Sequence, residues 1–210
     1  MKILNLYAGI GGNRKLWRGH EITAIEQNEL IALLYAKQFK YDTVIAGDAH
    51  KYLLHHFNEF DFIWSSPPCQ THSRARLINI GYTDKIMPAY IDMSLWSEIT
   101  FLKTYANCMW IVENVIPYYQ PFIKPNYIIN HHAIWCNFPI PPVQISRTLI
   151  SNSTIEAREK DIGIQVPANT EAYKREQVLR NAVNPKLALH ILNAAENKIS
   201  TITNQLQINF

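Results

Sequence analysis

The chain has 210 residues, of which 48% are hydrophobic and 18% charged, and its formal net charge is +3. That balance excludes a disordered chain, a collagen-like repeat and a disulfide scaffold, and the length suits one α/β domain with a real core. The mild basicity is compatible with a polyanionic partner but does not demonstrate one.

Residues 3–6, Ile-Leu-Asn-Leu, read as a first strand that runs into a cluster of three of the seven glycines, Gly9, Gly11 and Gly12. A strand ending in a glycine turn that opens a helix is the first unit of a doubly wound fold. Residues 22–25 read as a second strand ending in Glu26, and residues 29–39 as a helix with Leu30, Leu33, Leu34 and Ala36 at helical spacing. A short strand at 44–45 precedes Gly47-Asp48, a helical turn or two covers 51–57, and 60–64 is a fourth strand stopped by Pro67-Pro68. Residues 70–88 read as a long polar loop, 90–106 as a helix, 109–115 as a fifth strand and 127–135 as one strand or two. Residues 148–176 are polar and without clear period. Pro185 sits in the first turn of a final helix to about residue 197, and the remainder reads as a loose tail. Alternating strands and helices predict a doubly wound, mostly parallel α/β sheet covered on both faces.

Three cysteines, Cys69, Cys108 and Cys136, form an odd, sparse set that reads as reduced thiols in a cytoplasmic protein. No apolar run reaches membrane-spanning length. The adjacent pairs His55-His56 and His131-His132 do not suit metal ligation, because neighbouring side chains diverge in a helix or strand.

Three places carry candidate chemistry. The turn Tyr7-Ala8-Gly9-Ile10-Gly11-Gly12 is not a dinucleotide fingerprint, because Arg14 stands where a third glycine is needed. It is either a tight strand-to-helix turn or a ligand cradle. Glu26 and Asp48, at the ends of successive strands, favour a nucleoside-containing cofactor, with Glu26 placed for ribose hydroxyls. Next, Ser66-Pro67-Pro68-Cys69-Gln70 follows a buried strand, so Cys69 is either a nucleophile at the sheet's carboxyl edge or a packed thiol. His72, just beyond, reads as a surface-loop residue. Last, Glu113 ends the apolar strand 109–115. It is either an ion-pair or capping residue, or an acid held neutral so that it can hydrogen-bond a base.

Taken in order, Tyr7-Ala8-Gly9-Ile10-Gly11-Gly12, Pro68-Cys69-Gln70 with Ser73, Glu113-Asn114-Val115, and Asn181-Ala182-Val183 with Gln177 upstream resemble the C5-cytosine DNA methyltransferase family, in a compact, phage-like form. The resemblance covers residues 3–147 and 177–192 and implies the Rossmann-like methyltransferase fold, with S-adenosyl-L-methionine as cofactor and double-stranded DNA as partner. It implies that Tyr7, Ala8, Gly9, Ile10, Gly11, Gly12, Glu26, Gln27, Asp48, Ala49, Pro68, Asn181 and Ala182 bind the cofactor. The resemblance further implies that Cys69 adds to the base and Glu113 holds it, with Arg147 the nearest match to the family's base-holding arginine, and that Gln70, Ser73, Arg74, Arg76 and Asn114 face the substrate. The implied division is a catalytic core at 1–147, a reduced recognition insert at 148–176, a returning segment at 177–199 and a tail at 200–210. The family's recognition domain is shortened here to about 30 residues, too few for a separate core. That leaves reading of a short site, loose reading, or reliance on a second copy or a partner protein. A catalytically silent regulatory relative and the same chemistry on RNA are the competing functions.

Overall fold

The computed structural model describes residues 1–79, 88–145, 154–168, 170 and 172–208. Its strands are β1 (Lys2–Leu6), β2 (Glu21–Glu26), β3 (Thr43–Ala46), β4 (Phe62–Ser65), β5 (Met109–Val115), β6 (Tyr127–Ile129) and β7 (His132–Cys136). Its helices are α1 (Glu29–Gln38), α2 (Ala49–His56), α3 (Arg74–Asn79), α4 (Ser94–Tyr105), α5 (Ile155–Ile162), α6 (Ala172–Asn181) and α7 (Pro185–Ile208).

The seven strands form one sheet in the order β3-β2-β1-β4-β5-β7-β6. β1 to β5 pair in parallel, and β7 runs antiparallel to both β5 and β6. The antiparallel step comes from a two-residue hairpin. Asn130 and His131 have φ of 47° and 70°, the left-handed pair that a tight hairpin turn requires. Strand order reverses between β1 and β4, and ligands in such sheets bind at the carboxyl edge beside that switch point.

Side chains alternate across the sheet, so both faces are apolar. Ile3, Ile22, Phe62, Trp64, Ile111 and Ile134 pack with Trp17 and with Leu187, Ile191 and Leu192 of α7. Leu4, Leu6, Ile25, Ile63 and Val112 pack on the other side with Leu53 of α2 and Leu95, Ile99 and Leu102 of α4. Arg14 holds the glycine turn against α1. Its guanidinium donates to Asp42 at 2.7 and 2.9 Å and lies over the Phe39 ring.

Three segments depart from the sequence reading. Inside the expected loop 70–88, the described residues form α3, and residues 80–87 lie outside the described structure. In the polar stretch 148–176, α5 starts at the Thr154 cap, whose hydroxyl accepts from Ala157 N–H, and stops at Gly163 with φ 70°. α5 and α6 are tied by ion pairs, Arg158 to Glu176 and Arg175 to Glu159. Ile162, Ile164, Val166 and Leu179 pack around Ile10 of the glycine turn, so the described part of the insert covers that turn. The expected tail continues α7 as helix to Ile208. None of the helices searched among the described residues is long and apolar enough to cross a membrane.

Candidate active site

A cavity of about 270 Å³ opens at the carboxyl ends of β1, β2, β4 and β5. That is near the lower end of small-molecule pockets, about 300–1,000 Å³. Its walls include Tyr7, Ala8, Gly9, Ile10, Gly12, Glu26 and Gln27 on one side and Pro67, Pro68, Cys69, Gln70, Glu113 and Asn114 on the other. Asn181, the last residue of α6, and Ala182 just after it close it.

On the first side, Gly9 has φ 55°, and a Cβ there would meet nothing within 4 Å, so the bare backbone faces open space. Gly12 has a different reason to be glycine. A Cβ on it would lie 2.6 Å from the Val183 carbonyl oxygen and 2.9 Å from the Ala182 Cβ, so the returning segment approaches its backbone directly. Glu26 accepts from Gly9 N–H and Asn28 N–H, both at 2.9 Å, and fixes the turn while facing the cavity. Tyr7, expected against an adenosine, donates its hydroxyl to the buried Glu98 of α4. Glu98 also accepts from Ser65 at 2.6 Å and meets His50 at 2.9 Å. Burial and the Glu98 charge hold the Tyr7 phenol far above its ordinary range. Asp48 caps α2 by accepting from Lys51 N–H, and neither it nor Ala49 is among the cavity walls. Gly11 is also outside the walls; a Cβ there would strike Phe39 at 2.3 Å.

On the second side, Cys69 is half-buried in the turn after β4. Burial first, and the Glu113 carboxylate second, push its thiol up. Glu113 is 6% exposed on β5. It accepts from the Ser66 hydroxyl at 3.1 Å through Oε2 and pairs with His132 Nδ1 through Oε1. Asn114, expected to face the substrate, is among the cavity walls; its amide donates to the Pro67 carbonyl at 2.9 Å and its oxygen accepts from Val115 N–H, so it also ties β5 to the cysteine turn. Ser73 Oγ accepts from Ala75 N–H at the start of α3, and exposed Arg74 and half-buried Arg76 follow; none of the three is among the cavity walls. Arg147 lies outside the described residues.

His72 is not a surface residue. It is fully buried, its Nδ1 meets Tyr119 Oη at 2.6 Å, and its ring sits edge-on to Trp96. Burial pulls its imidazole below the ordinary value of 6.5. The sequence reading did not assign site roles to Ser66, Glu98 or His132. Among the described residues searched, no group of three metal-ligating side chains converges.

The fold aligns with a methyltransferase of Entamoeba histolytica, EhMeth, at a TM-score of 0.53 and 12% identity over 95% of this chain and 98% of that one. A mutant form of Spodoptera frugiperda DNMT2 aligns at 27% identity over 54% of this chain and 35% of that one, with a TM-score of 0.38. No curated protein matches the sequence. The model of the C-5 cytosine-specific DNA methylase family matches residues 1–116, which carry the glycine turn, Cys69 and Glu113. With more than half of its length matched, this chain belongs to the C-5 cytosine-specific DNA methylase family.

Proposed function

We propose that the protein transfers a methyl group from S-adenosylmethionine to C5 of a cytosine swung out of duplex DNA. One observation carries this reading: Cys69, in the turn after β4, and Glu113, on β5, wall the same cavity as Gly9 and Glu26. The first side of that cavity fits the cofactor. Gly9 leaves room at the backbone, Glu26 presents a carboxylate suited to ribose hydroxyls, and Ile10 and Ile31 offer apolar surface for an adenine. Asn181 and Ala182 would close over it. When bound there, S-adenosylmethionine supplies an electrophilic methyl group.

Cytosine C5 is a weak nucleophile until something adds at C6. The Cys69 thiolate forms the S–C6 bond, the C5=C6 π bond breaks, and an electron pair moves through the ring onto N3. Glu113, paired with His132, would relay a proton from that imidazole to N3 and accept from the exocyclic amine, which leaves C5 enamine-like. C5 would then take the methyl group as its bond to the donor's sulfur breaks and the donor is left a neutral thioether; loss of the C5 proton to water, expulsion of Cys69 and return of the N3 proton to Glu113 would restore the ring as 5-methylcytosine. The target carbon is out of reach inside a duplex, so the base has to leave the stack at a cost of a few kcal/mol. We assign the backbone phosphates to exposed Arg74 and half-buried Arg76, on the helix that follows the cysteine turn.

Purified protein with labelled methyl donor and duplex DNA should yield 5-methylcytosine. Equal counts from wild type and Cys69→Ala would overturn the assignment of the nucleophile. A parallel tRNA arm decides the polymer, and label confined to tRNA would move the reading to RNA.

Gly12→Ala tests the cofactor side. The added methyl must displace the Val183 backbone or the turn itself, an overpacking cost of about 1–3 kcal/mol. The expected result is a lower melting temperature together with binding of S-adenosylmethionine weakened by about tenfold or more, read by calorimetry.

A further inference from the structure

The hairpin turn at Asn130-His131 fixes where β7 begins. His132 is therefore its first residue and lies opposite Val115, while Glu113 lies opposite Ile134. Residues two apart on a strand share a face, so His132 is the diagonal neighbour of Glu113 on one side of the sheet. The imidazole Nδ1 meets Glu113 Oε1 there. The other oxygen, Oε2, accepts from Ser66, whose own hydroxyl oxygen accepts from Trp64 Nε1–H at 2.8 Å. Each carboxylate oxygen thus has one protein partner and one direction left for a base. His132 also lines the cavity, together with Cys69.

We propose that His132 is a positioning residue for the Cys69–Glu113 pair: it anchors Glu113 through Oε1 and compensates the carboxylate charge, so that Cys69 can ionise beside it. The proposal rests on the methyltransferase reading for its purpose, though not for its test.

The physics is a contest of like charges. A carboxylate beside a thiol opposes thiolate formation, and Glu113 does so here after burial has already pushed the thiol up. A cation on the far side of the carboxylate relieves that opposition. Burial alone would lower the His132 imidazole, but the Glu113 charge and hydrogen bond carry it above its ordinary value, which favours the cation. The other charged side chains facing this cavity are Glu26 from β2 and Arg180 from α6. Neither is among the groups acting on Cys69 or His132; the charged group acting on both is Glu113.

The test is the pH dependence of Cys69 alkylation by iodoacetamide, followed on the Cys69 peptide by mass spectrometry so that Cys108 and Cys136 do not contribute. H132Q keeps a donor and loses the charge. Its midpoint should rise by about one pH unit, which is about a tenfold slower alkylation below the midpoint. H132R restores the charge and should move the profile back toward wild type. In an E113Q background, H132Q should leave the midpoint where E113Q alone puts it. H132N provides a second neutral variant should H132Q fail to fold by circular dichroism. A folded H132Q or H132N that alkylates like wild type overturns the proposal. So does an equal displacement with and without Glu113. If the wild type transfers no methyl group to any nucleic acid, the methyltransferase reading fails, and the alkylation series still decides the role of His132.

Discussion

Cys69→Ala is expected to remove methyl transfer by about four orders of magnitude or more while leaving the fold intact. The size follows from the chemistry: without an adduct at C6, C5 has no enamine character, and nothing else near the base can take over the sulfur's role. The fold survives because Cys69 is half-buried in a turn held by other groups. Asn114 grips the Pro67 carbonyl, and the Cys69 carbonyl accepts from His72 and Ser73 N–H, none of which involves the thiol. Stability should change by less than about 1 kcal/mol. The wild-type rate should also climb with pH through the neutral range, because the thiol is held above its ordinary value and its thiolate fraction grows about tenfold per pH unit below its midpoint. Two measurements check this: labelled methyl incorporation by the two proteins over a pH series, and covalent trapping on a duplex carrying 5-fluorocytosine. Fluorine at C5 cannot leave as a proton, so wild type should stall as a denaturant-resistant complex and Cys69→Ala should not. A trapped complex formed by Cys69→Ala would place the nucleophile elsewhere.

The succession of strands along the chain, and the turns that follow them, were legible because their signals are local. Apolar runs closed by Gly9, Pro67 or Pro117 mark buried strands, and the chemistry-bearing residues follow at once. What was not legible depends on partners far along the chain. Tyr7 finds Glu98 across 91 positions and Glu113 finds His132 across 19, and neither pairing has a short-range pattern. His132 is placed by a hairpin whose turn residues, Asn130 and His131, are not the usual glycine-containing pair. His72 looked like a loop residue because its surroundings in sequence are polar, but Trp96 and Tyr119 come from other segments to bury it. α5 escaped notice for a related reason. It is a charged helix whose sequence markers are a threonine cap and a terminal glycine, and Ile162 meets the apolar surface of Ile10 only in the folded chain.

Glu113→Gln is expected to push two observables in opposite directions. The amide has nearly the same shape and can still meet Ser66 and His132, so the site should remain assembled. It has no proton to deliver at N3, and methyl transfer should fall by about 10²- to 10⁴-fold, the range for loss of a positioned acid. Cys69, by contrast, loses the negative charge that opposes its ionisation, so its alkylation should become faster at a given pH. A residue that merely held the fold together would not do this, since loosening the site would change both rates through exposure and lower the melting temperature as well. The informative experiment measures methyl incorporation, Cys69 alkylation and thermal melting on the same preparation. Slower methylation with faster alkylation and an unchanged melt assigns Glu113 its electrostatic and proton-supplying role. Slower methylation with slower alkylation would mean that the carboxylate charge is not what restrains the thiol, and the coupling between β5 and the cysteine turn would have to be explained by packing alone.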